Sequence, residues 1–321
     1  MAKLKHHFND SSLYKLQSVQ TLWSGYGEIS RFVSPRLNTT FITKHISPPV
    51  EQTHPRGWNT QTSHQRKLLS YKIEASFYRQ YGALCYEHCR VPQLLAEFLE
   101  EQQQIIVLQD LDQAGYSKRK TTVNMAELKL GVRWLAYFHA RFLQLDTPDL
   151  WPVGSYWHLA TRQDEYRAMP EGKLKGAAKV LDSKLNAAQY QTLIHGDAKL
   201  ANFCFPDNQR THRLAAVDFQ YVGKGVGVKD LAYFLGSCLK ANELFEHETE
   251  ILTEYFSQLK RALEHYHVSI DFESLQQEWR SLYSLAWADF NRFLLGWSPE
   301  HFKINAYMHK QSEIALSSCI S

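Results

Sequence analysis

The stretch His195-Gly196-Asp197-Ala198-Lys199-Leu200-Ala201-Asn202 is the densest group of polar residues in the chain. Val217-Asp218-Phe219-Gln220 follows it after a short hairpin-like stretch. Two brief apolar runs, Leu193-Ile194 and Leu214 to Val217, border these motifs and are predicted to be short strands. We therefore take the two motifs as the candidate functional site.

The residue types in these motifs suit the transfer of a phosphoryl group to an alcohol. That reaction needs a carboxylate near the hydroxyl, cations on the phosphates and oxygen ligands for magnesium. Asp197 is the candidate that orients the hydroxyl and accepts its proton, and Lys199 is the candidate that reaches the transferring phosphate. Asn202 and Asp218 are the candidate ligands of Mg²⁺.

A structural role is the alternative for each of these residues taken singly, because Asp and Asn often cap turns. The combination favours chemistry, since four residues of the required types stand beside short apolar strands and upstream strands can form a nucleotide lobe. Two neighbours are expected to be structural. His195 supports the loop through hydrogen bonds, and Asp230, before an apolar helical run, is a candidate N-cap.

The order His-x-Asp-x-Lys-x-x-Asn, followed by Asp-Phe after an apolar strand, resembles the catalytic loop and the metal-binding Asp-Phe-Gly of the protein-kinase-like fold. The closer resemblance is to its small-molecule branch, the aminoglycoside phosphotransferase and choline kinase group, and particularly to the ecdysteroid-kinase-like family. In that family Gln commonly replaces the Gly after Asp-Phe, as Gln220 does here. The resemblance implies ATP and Mg²⁺ as cofactors and a small-molecule hydroxyl acceptor, such as an amino alcohol, a sterol-like alcohol or an aminoglycoside.

The sequence around the motifs predicts strands first and helices afterwards. The predicted strands are Val19 to Trp23, Glu28 to Val33, Thr40 to Ile46, Val91 to Phe98 and Gln104 to Leu108. A loop from Ser47 to Gln65 and a helix from Arg66 to Tyr81 interrupt them. The later predicted helices are Asn124 to Leu145, Ala177 to Tyr190, Lys229 to Leu239, Leu244 to His265 and Leu275 to Leu295.

These elements predict an α+β fold with two lobes of the protein-kinase-like type. Residues 1–109 are expected to form a nucleotide-binding lobe with a five-stranded antiparallel sheet and one helix. Residues 110–321 are expected to form the larger, mainly helical lobe that carries catalysis and acceptor binding.

Two charged residues of the first lobe are candidates for placing the nucleotide phosphates. Lys44 lies on a predicted strand, and the resemblance gives this position a lysine that contacts phosphates and pairs with a helix acid. Glu74, on the following helix, is the candidate partner. The alternative is that Lys44 is an edge-strand charge and Glu74 an ordinary exposed helix residue.

Other candidates for nucleotide binding lie in a turn and in a linker. Gly25 and Gly27 separate two predicted strands, and their backbone N–H groups could cradle phosphates. The turn lacks the full Gly-x-Gly-x-x-Gly, and two glycines between strands usually form only a hairpin turn. Gln109 and Leu111 follow an apolar strand and resemble the linker between lobes whose backbone binds adenine.

An aromatic stripe in a late helix is the candidate acceptor site. Trp279, Tyr283 and Trp287 recur every fourth residue, and Asp289 lies beside them. An aromatic wall with an acid could hold an amine or a flat apolar alcohol. Packing in the core is the alternative, and it is the commoner role of such stripes.

Composition excludes some classes of function. Lys and Arg exceed Asp and Glu by only three, so the charge does not indicate nucleic acid as a partner. The sequence shows no signal peptide and no apolar run of membrane-spanning length, and its five cysteines have no framework-like spacing. We therefore expect a cytoplasmic protein without a membrane partner.

Two other functions compete with a small-molecule kinase. A protein kinase needs a long activation segment after its metal-binding motif, whereas only Gln220 to Lys229 separate that motif from the next helix here. A nucleotide-binding regulator without catalysis is the other competitor. The presence of Asp197, Asn202 and Asp218 opposes it.

Overall fold

The computed structural model of the chain describes residues 1–22, 25–48, 61–100, 103–208 and 213–320. The first lobe holds one antiparallel sheet with the strand order β1-β2-β3-β5-β4. Its strands are β1 (Tyr14–Thr21), β2 (Gly27–Ser34), β3 (Thr39–Ile46), β4 (Leu94–Glu100) and β5 (Gln103–Gln109). Helix α1 (Ala2–His7) precedes the sheet, and helix α2 (Gln61–Gln80) follows β3.

The two faces of this sheet meet different partners. Phe32 of β2, Phe41 of β3 and Val107 of β5 pack with Leu4 of α1 in a small core. Side chains one residue further along each strand point to the opposite face. Lys44 of β3 is therefore directed away from this small core, towards the space between the lobes.

Several boundaries differ from the predicted ones, and the starts of β1 and α2 differ by about five residues. Strand β1 begins at Tyr14 rather than Val19 and ends at Thr21, while Trp23 lies outside the described residues. All eight residues of β1 are exposed, and its register with β2 shifts twice, so no regular alternation marks this edge strand in the sequence. Helix α2 begins at Gln61, within the segment predicted as a loop; residues 49–60 lie outside the described part.

The second lobe is mainly helical, as predicted. Its helices are α3 (Met125–Arg141), α4 (Gln163–Ala168), α5 (Lys173–Asn186), α6 (Gly227–Cys238), α7 (Ala241–His265), α8 (Phe272–Trp297) and α9 (Ala306–Ile320). The sequence did not predict α9, whose buried face includes the polar residues Gln311 and Ser312 and therefore lacks an apolar period. No helix in the described residues is both long enough and apolar enough to cross a membrane.

Four short strands support the candidate site. Strand β6 (Thr192–Ile194) pairs with β9 (Gly223–Gly225), and β7 (Phe203–Cys204) pairs with β8 (Ala215–Ala216). Phe219 stacks on Phe77 of α2 with ring centres 4.0 Å apart, which joins the first lobe to the metal-binding motif. The two-lobe α+β fold is confirmed, whereas its division at residues 109 and 110 stays a prediction.

Candidate active site

A buried carboxylate from α6 holds the backbone of the candidate catalytic loop, residues 195–202. Gly196 has φ 77°, and a Cβ at this position would lie 2.1 Å from the carbonyl oxygen of Tyr221, so only glycine fits. Asp230 accepts the N–H groups of His195 and Gly196 at 2.5 and 3.0 Å, and His139 Nε2 lies 3.2 Å from the same carboxylate. Helix α6 begins at Gly227, so the N-cap prediction for Asp230 is wrong. Its carboxylate positions the loop instead.

Asp197 lies at the centre of the polar contacts in this loop. Its Oδ2 accepts hydrogen bonds from Lys199 Nζ at 2.8 Å and from Asn202 Nδ2 at 3.2 Å. Its Oδ1 accepts one from the Tyr233 hydroxyl at 3.0 Å. A carboxylate with these fixed donors is oriented before any substrate arrives. Tyr233 was missed in the sequence because it stands within an apolar helical run and looked like a core residue.

Asp218 is surrounded by cations and remains partly open to the cleft. Burial acts to raise its pKa, but the ammonium groups of Lys44, Lys199 and Lys67 lower it well below the usual range. Lys44 Nζ lies 3.3 Å from Asp218 Oδ1, and the Asp218 side chain keeps 31% exposure. An ionised, accessible carboxylate is the group that Mg²⁺ prefers.

Asn202 fits the same metal. Both hydrogen bonds of its side chain use Nδ2, one to the backbone oxygen of Asp197 at 2.8 Å and one to the Asp197 carboxylate. Among the described residues no donor reaches Asn202 Oδ1. The amide oxygen and the Asp218 carboxylate are therefore a plausible donor pair for a hard cation.

Gln220 links Asp218, the candidate metal ligand, to helix α2. Its Nε2 donates to Asp218 Oδ1 at 2.6 Å, and its Oε1 accepts from Lys67 Nζ and Ser70 Oγ, each at 3.2 Å. Asp218 has φ 72°, a left-handed conformation that is costly for a residue other than glycine. The contact from Gln220 therefore orients the carboxylate of a residue whose backbone conformation is strained. The sequence singled out Gln220 only as a mark of resemblance, and Lys67 was not singled out.

The structure brings Lys44 and Glu74 together, as the sequence predicted. Lys44 Nζ lies 2.6 Å from Glu74 Oε2, and their side chains are 5% and 2% exposed. Burial raises the pKa of Glu74 to about 6, although the Lys44 ammonium opposes that rise. Burial acts to lower the pKa of Lys44, but Glu74 and Asp218 raise it on balance. Lys44 therefore stays charged. The role of the pair in nucleotide binding stays a prediction.

A cleft of about 410 Å³ lies between the lobes, and most of the predicted catalytic, metal-binding and nucleotide-binding residues line it. The predicted residues that line it are Lys44, Glu74, Gln109, Leu111, Asp197, Lys199, Asn202 and Asp218. Gly25 and Gly27 do not line it, although Leu22 and Ile29 on either side of their turn do, and Ser24 lies outside the described residues. A Cβ on Gly27 would lie 1.9 Å from the carbonyl oxygen of His45, so close strand packing accounts for this glycine.

The aromatic stripe of α8 lies in the core and not in the cleft. Trp279, Tyr283 and Trp287 are at most 3% exposed, and Tyr283 and Trp287 pack against Tyr307 of α9. The packing alternative is therefore favoured over the acceptor role for these three rings.

Asp289, beside the stripe, is also withdrawn from solvent. It is 1% exposed and forms ion pairs with Arg292 at 2.7 Å and Lys229 at 3.3 Å. Burial acts to raise its pKa, but these two cations lower it to about 2. A carboxylate already paired twice in the core has no evident access to an acceptor.

Comparison with known proteins places the fold in one class. Several solved structures match nearly the whole chain, including three with TM-scores of 0.50 or more. One is an aminoglycoside phosphotransferase-like protein of Ralstonia eutropha JMP134, with 12% identity, a TM-score of 0.52, and coverage of 99% of this chain and 94% of that chain. Another is the amicoumacin kinase hAmiN in complex with AMP-PNP, Ca²⁺ and Ami, with 12% identity, a TM-score of 0.52, and coverage of 99% of this chain and 95% of that chain. A third is a microcompartment-associated aminopropanol kinase, with 14% identity, a TM-score of 0.50, and coverage of 99% of this chain and 94% of that chain. At these identities the likeness shows the fold, which is the protein-kinase-like fold of small-molecule kinases.

A comparison with models of protein families also finds the resemblance to the ecdysteroid-kinase-like family. The model of the ecdysteroid kinase-like family matches residues 158–268, a range that contains Asp197, Lys199, Asn202 and Asp218. It does not reach Lys44 or Glu74. No curated protein matches the chain.

Proposed function

We propose that the chain is a kinase that uses ATP and Mg²⁺ to phosphorylate a hydroxyl group of a small molecule. The observation that carries the proposal is the placement of Asp197, Lys199, Asn202 and Asp218 at one cleft, opposite the Lys44–Glu74 ion pair. The names of the structural neighbours, which are kinases of small molecules, support it. We include a cytoplasmic location in this proposal.

In this mechanism Asp197 binds the acceptor hydroxyl and takes its proton as the oxygen attacks the γ-phosphorus. The bond from that phosphorus to the β-phosphate oxygen breaks, so the products are ADP and the phosphorylated alcohol. Lys199, which lies 2.8 Å from Asp197, is close enough to contact the transferring phosphoryl group. Lys44 would contact phosphate oxygens further from the acceptor. Mg²⁺ held by Asn202 and Asp218 would neutralise charge on the phosphates.

Positioning and charge stabilisation account for catalysis at such a site. The hydrogen bonds to both oxygens of Asp197 fix the base, and Asp230 fixes the loop that carries it. The protein therefore needs little reorganisation when the transition state forms.

The connection after Gln220 opposes the protein kinase alternative. Residues 223–225 form β9, and α6 begins at Gly227, so seven residues from Gln220 to Val226 join the metal-binding motif to the helix. So short a segment cannot form an extended surface for a peptide, which favours a small acceptor.

The test is a screen of small alcohols, amino alcohols, sterols and sugars for Mg²⁺-dependent consumption of ATP, with the phosphorylated product identified by mass spectrometry. The Asp197→Asn protein is the control, and it should form product about a hundred- to ten-thousandfold more slowly. Binding of Mg·ATP without transfer to any alcohol would overturn the proposal in favour of the nucleotide-binding regulator.

A further inference from the structure

A lysine between α8 and α9 lies beside the candidate catalytic base, outside the nucleotide cleft. The ammonium nitrogen of Lys303 is 4.5 Å from the centre of the Tyr233 ring and 5.7 Å from that of Phe290. The hydroxyl of the same Tyr233 donates to Asp197. Neither Lys303 nor Tyr233 lines the cleft that holds Asn202 and Asp218. Asp197 therefore borders two environments, the nucleotide cleft and an aromatic region that contains Lys303.

The aromatic region adjoins Asp197 on the side where the Tyr233 hydroxyl contacts its carboxylate. The Tyr233 ring lies 5.6 Å from Tyr156, 5.0 Å from Trp157 and 5.0 Å from Phe290, measured between ring centres. Tyr156 and Lys303 are partly exposed, whereas Tyr233 and Phe290 are buried. An acceptor with its hydroxyl at Asp197 would therefore meet the partly exposed Tyr156 and Lys303, whereas Trp157, Tyr233 and Phe290 pack behind them.

The chain's own ammonium group already occupies the position that suits an amine in such a region. A cationic ligand binds over an aromatic face, and Lys303 lies over the face of Tyr233. No described carboxylate lies within 4.0 Å of its nitrogen, although the charge of Asp197 acts on it from further away. Burial lowers the pKa of Lys303 to about 8, with Lys199 adding to the effect and Asp197 opposing it. The charge on Lys303 is therefore poorly compensated and would be stabilised by an oxygen atom of a ligand.

We propose that Lys303 selects the acceptor by charge. The acceptor is an apolar hydroxy compound with a carboxylate, or another oxygen that accepts a hydrogen bond, near the reacting hydroxyl, and amino alcohols are disfavoured. This inference rests on the proposed function and assigns the substrate class of the same site. It also separates the chain from the aminopropanol kinase whose fold it shares.

A matched series of acceptors tests the selection. Three cyclohexanols that carry an amino, a hydroxymethyl or a carboxylate group at the same ring position differ mainly in charge. Phosphorylation of each by the wild type, Lys303→Met and Lys303→Glu is measured as kcat/KM near pH 7. A hydrogen bond to a charged group predicts that Lys303→Met lowers kcat/KM for the carboxylate about ten- to hundredfold. Lys303→Glu should reverse the order of the amine and the carboxylate.

Binding of each acceptor near Lys303 can be measured without turnover. Labelling of Lys303 by an amine-reactive sulfonate reagent is followed by peptide mass spectrometry in the presence of each cyclohexanol. The carboxylate should protect Lys303, and the amine should not. Lys310→Glu is the matched control for charge, because Lys310 is exposed on the following helix and should leave the order of the acceptors unchanged. Titration with Mg·ATP checks that each variant retains its fold and its nucleotide cleft.

The outcomes separate this inference from the proposed function. Preference of the wild type for the amine, an unchanged order in Lys303→Glu, or failure of the carboxylate to protect Lys303 each overturns the inference, even if alcohols are phosphorylated. Protection of Lys303 by the carboxylate, with no alcohol phosphorylated in the broad screen, would instead support the acceptor site and overturn the kinase activity.

Discussion

Replacement of Gln220 by methionine should weaken the binding of Mg²⁺ more than it weakens the fold. Methionine has a similar length and no polar group that can replace the amide. The change therefore removes the contact from Gln220 Nε2 to Asp218 and the contacts from Lys67 and Ser70 to Gln220 Oε1. Ser70 keeps its hydrogen bond to the backbone oxygen of Lys67, so its hydroxyl is not left unpaired.

The magnitude follows from the hydrogen bond to the charged carboxylate. A bond of this kind contributes about 1.5–3 kcal/mol, which corresponds to about ten- to hundredfold in an equilibrium constant. Most of this effect should appear in metal binding, because Gln220 stabilises the left-handed conformation of Asp218 and fixes the direction of its carboxylate. The two contacts to α2 are longer, at 3.2 Å, and their loss should add a smaller change in the free energy of unfolding.

Calorimetric titration with ATP, in the presence and absence of Mg²⁺, measures the part of nucleotide affinity that depends on metal. We expect this part to fall about ten- to hundredfold in Gln220→Met, with a smaller change in the affinity for ATP alone. Gln258→Met is the matched control, since Gln258 is also buried and donates one hydrogen bond to Glu254 within α7. If Gln220→Met retained the metal dependence of the wild type and lost only stability, as Gln258→Met should, Gln220 would be a packing residue and the reasoning would be refuted.

Three further predictions follow from the site. Asp197→Asn should lower kcat about a hundred- to ten-thousandfold with little change in Mg·ATP affinity, because Asp197 meets the acceptor; near-normal kcat would remove it from the mechanism. Asp218→Ala should weaken metal-dependent nucleotide binding more than Asn202→Ala does, because a carboxylate binds the hard cation more strongly than an amide. Equal metal dependence in Asp218→Ala and the wild type would contradict the assignment of Asp218 as a metal ligand. The raised pKa of Glu74, about 6, means that Glu74 takes up a proton as the pH falls through 6 and its ion pair with Lys44 is lost. The kcat/KM for ATP should therefore fall below pH 6; in Glu74→Gln this acidic limb should be absent, and its persistence would assign the limb to another group.

The core of the site could be predicted because its chemistry is local in the sequence. Asp197, Lys199 and Asn202 lie within six residues, so a compact loop, here with a tight turn at Leu200–Asn202, brings them close together. The pairing of Lys44 with Glu74 needed more. Strand alternation gave the direction of the Lys44 side chain, whereas the resemblance to the protein-kinase-like fold implied its pairing with an acid on the following helix.

The missed residues act through contacts between distant segments. Tyr233 belongs to an apolar helical run, Lys303 to an irregular connection, and they meet only in the folded protein. Periodicity also cannot distinguish a core face from a pocket wall, because both require large apolar side chains on one side of a helix. Burial resolves this ambiguity for Trp287, which is inaccessible and therefore belongs to the core.

The fold itself fixes the loop that carries the candidate metal ligand Asp218. In protein kinases, phosphorylation of a long activation segment controls the placement of the corresponding aspartate. Here the backbone oxygen of Gln220 accepts a hydrogen bond from Trp151 Nε1 at 2.8 Å, and β9 pairs with β6 within three residues of Gln220. The side chain of Gln220 then fixes Asp218 from the other direction. Because these contacts come from elements of the folded core, the loop conformation needs no separate segment to stabilise it. We infer that Gln220, the glutamine after Asp-Phe, compensates for the short connection: because this connection is too short to form an activation segment, the contacts of Gln220 restrain Asp218 instead.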